Sequence, residues 1–554
     1  MRYKNSFRYL AVFLLAALFS GALFAGCTPA KPKEPENVEP EITKGGTFLQ
    51  WVYWEQPMSN PVLSSGQFAH SYIFDPLVQV DENGDIQPRL AEKWDISPDG
   101  KEYTFTLREN VKWHDEEPFT ADDVKFTFDA IMDPKTVTTQ RSCFTVGDEV
   151  AKCEVVDPLT VKFILPQPFA PFLGKLGNQY SAVRIVPKHV FEGTDINDNP
   201  ANFDPIGTGP FKMQERKTGE YAVLVRNDDY FLPVYLDKIV LKIIPNAEAN
   251  VAAFENRELH ATYLYDADVE KFADYPGVIQ YRYSDGALAF LWLNVKKPLF
   301  SDKRVRQAIA YAIDKEDIAN TVTYGLCKAA YNIYASSGPH AWVYNENAPR
   351  YEYNPEKAKE ILADLGWKPG PDGVLVKDGQ RFSFVHYGQT GFAQYEKVNT
   401  MLQAQLDKVG IEMEIRLLEP AAFNQKLREQ VDPKDMDSHL TGAGPDVFDP
   451  DYISRFHSKS YPAGHNVYGY SNPEADKLLV EGVTTTDREA RKEIYCELQN
   501  VIMEDIPYIP LYEFIDVNAV WDDLGGVPED TTKDSSVITW YFTEKLYIKE
   551  PSGK

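Results

Sequence analysis

The chain has 554 residues, more than a single hydrophobic core usually organises, so several lobes are expected. Hydrophobic residues make up 43% and charged residues 25%, an ordinary globular composition that excludes wholesale disorder. Asp and Glu number 83 against 57 Lys and Arg, and the resulting net charge of −26 repels phosphate backbones and excludes nucleic-acid binding as the main role.

Arg2, Lys4 and Arg8 precede an apolar run from Leu10 to Ala25, the pattern of a cleaved export signal over residues 1–26. The run ends in Leu23-Phe24-Ala25-Gly26-Cys27, which resembles the bacterial lipobox. That resemblance implies cleavage before Cys27, lipidation of its thiol, and an extracytoplasmic protein held at the cell membrane, in a periplasm or at the cell surface. Ordinary secretion is the alternative. Residues 27–44 carry Pro29, Pro32, Pro35 and Pro40 among Lys and Glu, too few apolar groups to bury and too many prolines for a helix, and so read as a tether. An exported chain meets oxidising conditions. Two readings stand for Cys143, Cys153, Cys327 and Cys496: a disulfide between Cys143 and Cys153, or four structural thiols.

From Gly45 onward strand-like and helix-like segments alternate without a fixed period, which argues for a mixed α/β fold and against solenoids and propellers. Residues 103–108 and 411–417 alternate apolar and polar positions with period two and predict strands. Asn354 and Pro355 open a helix with Ala358, Ile361, Leu362 and Leu365 on one face, and Gly366 closes it. Val398, Leu402, Leu406 and Val409 line another, stopped by Gly410. Thr486 to Glu489 reads as a capping box before a third. No phosphate-cradling glycine loop, HExxH or Gly-x-Ser-x-Gly elbow is present, so no catalytic residue, metal or cofactor is expected. Asp446, Asp449 and Asp451, with Pro445 and Pro450, read as a turn with solvated carboxylates, and His114 as a structural histidine.

Several runs together carry a family resemblance: Arg89-Leu90-Ala91-Glu92-Lys93-Trp94, Val111-Lys112-Trp113-His114-Asp115, Pro118 to Val124, Pro205-Ile206-Gly207-Thr208-Gly209-Pro210-Phe211, Arg304 to Asp314, and Ile506 to Tyr512. The chain from about Gly45 to Lys549 resembles the family 5 extracellular solute-binding proteins, the peptide- and nickel-type receptors of ABC importers. The resemblance implies an α/β type II periplasmic-binding-protein fold, with two lobes around a hinge and an extra inserted domain. Lobe one would use residues 45–77, 204–284 and 519–554, the inserted domain 78–203 and lobe two 285–518, with chain crossings near Phe290–Asn294 and Leu511–Val520.

The same resemblance implies the ligand contacts. In the family's peptide carriers an Asp in a loop ending Asp-Pro pairs with the peptide ammonium, and counting back from Asp449-Pro450 puts Asp446 there. The main chain of Gly442 to Gly444, and of Ser64, Ser65 and Gly66, stands where an extended ligand pairs with the receptor. Gln389 takes the place of the Arg that holds the carboxylate in dipeptide carriers, which implies longer ligands. Trp51, Tyr53, Trp54, Trp292 and Asn294 fall near the cleft. The implied protein is a monomeric, lipid-anchored receptor that hands oligopeptides to permease and ATPase subunits. Oligosaccharide or a nickel chelate is the alternative cargo, and a secreted hydrolase with an acidic cleft is the alternative class.

Overall fold

The computed structural model describes residues 42, 44–52, 60–63, 68–146, 149–178, 182–264, 267–429, 435–444, 449–461, 465–533 and 539–549. The signal segment, Cys27 and the tether as far as Glu41 lie outside the described residues.

Lobe one holds two sheets. In the first, Thr47–Val52 runs parallel to Lys238–Ile243, which continues antiparallel to Tyr221–Arg226 and then Phe211–Lys217. In the second, Asp516–Trp521 lies between Ala261–Tyr263 and Val278–Tyr283, over a small core that includes Phe254, Phe272 and Trp521. An antiparallel sheet in the order Ala91–Ile96, Glu102–Leu107, Thr160–Ile164, Lys152–Asp157 follows from the segment between the first two lobe-one strands. Its Glu102–Leu107 strand buries Tyr103, Phe105 and Leu107, the alternation that the sequence predicts. The helix Ala121–Met132 packs beside it and starts at a capping box in which Thr120 N–H donates to the Asp123 carboxylate at 2.9 Å. One continuous core joins this sheet to lobe one, so the inserted segment buries its apolar face against the lobe.

Lobe two is built on a six-stranded sheet in the order Lys328–Ala329, Tyr508–Glu513, Leu288–Leu293, Ser438–Ala443, Ser383–Gln389, Glu412–Leu418, with a core of its own. Its helices follow the sequence signals. Asn354 Oδ1 accepts from Lys357 N–H at 3.0 Å to cap Pro355–Asp364, and Gly366 and Gly410 end their helices with φ of +91° and +79°. The cap of Arg488–Asp505 is Asp487, one residue after the expected Thr486, because its carboxylate reaches Ala490 N–H at 2.9 Å.

The Gly207 and Gly209 motif is a close-packing device. A Cβ on Gly207 would collide with the Ile73 carbonyl oxygen, and one on Gly209 would lie 2.6 Å from the Ile73 carbonyl carbon. Gly209 N–H donates to Ile73 C=O at 2.8 Å, while His114 N–H donates to Gly207 C=O at 2.8 Å. The His114 ring bridges Gly207 N–H (3.3 Å) and the Gly209 carbonyl (3.0 Å), and burial lowers its pKa to about 4. Cys153 is a buried thiol and not one half of a disulfide with Cys143; burial pushes its pKa up to about 12.

Arg89 ties the inserted segment to the C-terminal stretch. Its guanidinium is 2.8 Å from the Glu544 carboxylate, donates to Gln79 Oε1 at 2.8 Å, and lies 4.5 Å over the Phe542 ring. Asp75 completes the buried network, accepting from Tyr230 at 2.9 Å and Thr208 at 3.1 Å. Burial raises the Asp75 pKa to about 6 despite Arg89, which pulls it down.

The chain passes between lobes twice, side by side. Tyr283↔Asp516 is the last paired position in lobe one and Leu288↔Glu513 the first in lobe two. Between them run Ser284–Ala287 and Phe514–Ile515, joined by Phe514 N–H donating to Ala287 C=O at 3.0 Å. Phe290–Asn294, where a crossing was expected, instead lies largely within Leu288–Leu293, an interior strand buried at every position. Six apolar residues in a row suit a strand covered on both faces, not an exposed hinge.

Candidate functional site

The Ser438–Ala443 strand ends beside the crossings. On one side it pairs along its whole length with Leu288–Leu293, from Leu293↔Ser438 to Leu288↔Ala443. On the other it pairs in parallel with Ser383–Gln389 only at His386↔Ser438 and Tyr387↔His439. His386 pins that junction: Nδ1 is 2.9 Å from Ser438 Oγ and Nε2 2.9 Å from Asn399 Oδ1, and burial lowers its pKa to about 4, which keeps the ring neutral. Beyond His439 the two strands diverge, and the 440–443 edge has no ladder partner on that side among the described residues. Thr441, Gly442 and Gly444 are only partly buried there.

Aromatic groups frame this edge. The first turn of Ala393–Asp407 brings the Tyr395 hydroxyl against Gly442, and Phe514 from the crossing lies on the same glycine. A Cβ on Gly442 would be 3.0 Å from both the Tyr395 hydroxyl and the Phe514 ring, so glycine is the residue that fits. Phe392 is half exposed and stacks on Tyr395 with ring centroids 6.1 Å apart. Gln389, the last residue of its strand, is at the same end of the sheet.

The structure thus brings together Gly442, Gly444 and Gln389. Trp292 and Asn294 sit elsewhere, at the far end of Leu288–Leu293. Trp292 is 2% exposed and packs against Tyr508 and His439 with centroids 3.9 and 5.2 Å away; Asn294 is fully buried and donates to Met436 C=O at 2.8 Å. Trp51 is partly buried in lobe one, against the small core. Tyr53, Trp54, Ser64, Ser65, Gly66 and Asp446 lie outside the described residues.

The neighbouring acidic loop departs from expectation. Asp449 is not a solvated turn carboxylate: Arg491 Nη2 reaches its two oxygens at 2.8 and 2.7 Å, and burial raises its pKa to about 6 against the pull of Arg491. Asp451 pairs with Lys175 of the inserted segment at 3.3 Å, both side chains about one-tenth exposed. Ala170 N–H donates to Val483 C=O at 2.8 Å, so the inserted segment touches lobe two through backbone as well as charge. Tyr395, Phe392, Phe514 and Arg491 carried no sequence signal for this site. Among the described residues no group of three or more His, Cys, Asp or Glu side chains could hold a metal, and no helix is long and apolar enough to cross a membrane.

The model of the bacterial extracellular solute-binding proteins, family 5 (Middle), matches residues 85–464. The chain belongs to this family. The oligopeptide-binding protein AppA of Bacillus subtilis is 32% identical over 98% of this chain and 100% of its own length. Its solved structure, in complex with a nonapeptide, superposes with a TM-score of 0.77 at 30% identity, covering 92% of this chain and all of that one. NikZ from Campylobacter jejuni, in complex with Ni(L-His), gives a TM-score of 0.78 at 27% identity over 90% of this chain and 99% of its own. The two-lobe α/β architecture is that of these family 5 proteins, which are solute-binding proteins.

Proposed function

We propose that this protein is the extracytoplasmic substrate-binding component of an ABC importer, capturing oligopeptides by lobe closure and delivering them to permease and ATPase subunits. The observation that carries this reading is the 440–443 edge, which has no ladder partner on that side among the described residues, beside the two crossings. An extended ligand can add to such an edge through its main chain, which reads no side chains and so tolerates varied sequences. The nonapeptide in the similar AppA complex supports an extended cargo, as does Gln389 where a fixed cation would limit length. Binding without turnover is the function in this reading, and the receptor acts as a monomer.

Within this reading Asp446 holds the peptide ammonium. Asp446→Asn is expected to weaken binding of a synthetic nonapeptide pool by at least about 2 kcal/mol, roughly 30-fold, and N-acetylation of the pool to weaken the wild type comparably while hardly affecting the variant. Calorimetry on the four combinations tests it. Equal affinity for free and acetylated peptides in the wild type removes the Asp446 role; binding of a nickel–histidine chelate or an oligosaccharide in place of peptide removes the cargo.

The lobe boundaries given above (45–77, 204–284 and 519–554; 78–203; 285–518) and lipidation at Cys27 belong to the same proposal. Two acyl chains hold a protein stably at a bilayer. Cys27→Ser is therefore expected to move the protein from the membrane to the soluble fraction on cell fractionation, and a variant that stays with the membrane contradicts the anchor.

A further inference from the structure

Within the reading of the 440–443 edge as the ligand's pairing site, the structure also places a cation on that edge. Asn294 N–H donates to Asp437 C=O at 2.9 Å, and that bond fixes the phase of the ladder between Leu288–Leu293 and Ser438–Ala443. Inward- and outward-facing residues alternate along an antiparallel strand. His439, Thr441 and Ala443 therefore face Leu288–Leu293, whereas Leu440, Gly442 and Gly444 turn their N–H and C=O to the other side. Gly444 keeps this register just past the strand, since a Cβ on it would lie 3.3 Å from the Ala287 Cα. Its carbonyl, on the open side, accepts from Arg455 Nε at 3.1 Å. The guanidinium sits at the open edge itself.

Arg455 is partly buried and makes no ion pair among the described residues. The acids nearest it in sequence are engaged elsewhere, Asp449 with Arg491 at 2.7 Å and Asp451 with Lys175 at 3.3 Å. Its base is held, because the Tyr508 hydroxyl donates to Arg455 C=O at 3.3 Å and Arg455 N–H donates to Tyr452 C=O at 3.0 Å. A guanidinium is planar. With Nε committed to Gly444, the Nη on the same face presents an N–H alongside that bond, toward the space an added strand would fill. Lobe closure expels water from that space, and a guanidinium left there without a counter-charge is costly. We propose that Arg455 selects the cargo: it pairs with a carboxylate side chain near the amino end of the peptide, on the ligand residue that lies beside Gly444. The amino end follows from Asp446, two residues past Gly444, as the ammonium partner in the reading above. A nonapeptide extended over ~30 Å carries its terminal carboxylate well away from this point. The chain's net charge of −26 repels acidic peptides at long range, and one fixed cation at the edge compensates locally.

The probe is a set of nonapeptides in which a single Glu is moved through every position of a sequence with otherwise uncharged side chains, each with its Gln counterpart. Calorimetry on the wild type should show Glu favoured over Gln about 10-fold or more at one position near the amino end and at no other. Arg455→Gln should abolish that preference while binding the Gln peptides as the wild type does, and Arg455→Lys should keep part of it. A preference that survives in Arg455→Gln overturns the inference. Amidating the carboxyl terminus should leave the preference unchanged. If Arg455→Gln weakens only the free-acid peptides, the terminal carboxylate is the partner and the side-chain role falls. Uniform binding of the whole set by the wild type sinks this inference alone. If no peptide of the set binds, strand addition at this edge falls and the role of Arg455 falls with it.

Discussion

Arg89→Met is expected to destabilise the folded protein by about 3–5 kcal/mol, because breaking a buried ion pair leaves the partner charge in a medium that cannot solvate it. Arg89 is 2% exposed, and it faces two acids, Glu544 at 2.8 Å and Asp75 through the Tyr230 hydroxyl. Methionine fills similar volume against Phe542, so most of the loss is electrostatic and depends on pH. In the wild type Asp75 titrates near 6 when folded against 3.8 when unfolded, so between those values the folded chain keeps a proton that the unfolded chain has released. Its contribution to stability therefore declines as pH rises from about 4 to 6. Without Arg89 the cation that lowers this carboxyl is gone, and the decline extends to higher pH. Denaturant midpoints should differ most between wild type and variant above pH 6 and converge on acidification. A gap that stays constant from pH 7.5 to pH 4.5 would show that lost packing, not unpaired charge, is the cause.

Lys315→Met should do the opposite and stabilise the protein. Lys315 opens the Lys315–Val322 helix with its side chain 1% exposed, and its Nζ has no hydrogen-bond partner among the described residues. The ammonium lies 4.7 Å over the Tyr331 ring, whose other cationic neighbour, the Arg350 guanidinium, lies 3.7 Å from it. Burial, with a smaller contribution from Arg350, lowers the Lys315 pKa to about 7 from 10.5. Between those values the unfolded chain carries a proton that the folded chain lacks, so stability rises with pH across that window and the cost is fully present below pH 7. Removing the amine should add up to ~5 kcal/mol in mildly acidic solution, the full value of such a shift, and less as the site relaxes. Denaturant unfolding at pH 6 and pH 9.5 reads it: the advantage of the variant shrinks as pH rises. An advantage independent of pH would mean that the wild-type amine titrates alike in the folded and unfolded chains, its ammonium reaching water, and would overturn the burial argument.

What could be read from the chain was short-range. The alternation in residues 103–108, the cap at Asn354 and the stops at Gly366 and Gly410 each rest on a few adjacent residues and formed, while the cap expected at Thr486 fell one residue later, at Asp487. The 205–211 run was legible only as part of the family resemblance, and the packing of its glycines on Ile73 was not. The site was legible only as backbone: Gly442 and Gly444 lie on the edge, yet nothing near them in sequence names Tyr395, 47 positions before Gly442, or Arg491, 42 positions after Asp449. A carboxylate beside two prolines reads as solvated until its arginine arrives from a distant helix. Trp292 shows the converse. Its strand is apolar at all six positions, a period-one pattern that marks a covered strand, and the family analogy outweighed that local signal in placing it near the cleft.

The two crossings are anchored unequally. On the lobe-two side the Glu513 carboxylate accepts from Ser336 N–H at 2.7 Å and Ser337 Oγ at 3.1 Å, and a Cβ on Gly286 would come 2.5 Å from the His340 ring. A Cβ on Gly338 would likewise come 2.4 Å from the Ser284 carbonyl oxygen. The 336–340 loop thus clamps both connecting segments to lobe two, and the torsions left to change are those next to Tyr283 and Asp516. Two adjacent antiparallel tethers bending at one level define a single axis. Bending about that axis is then the softest relative motion of the lobes, because the hydrogen bond between the two tethers resists sliding and twisting of one past the other. Capture has one soft coordinate to freeze, so little of the binding free energy is lost in arresting the rest of the molecule.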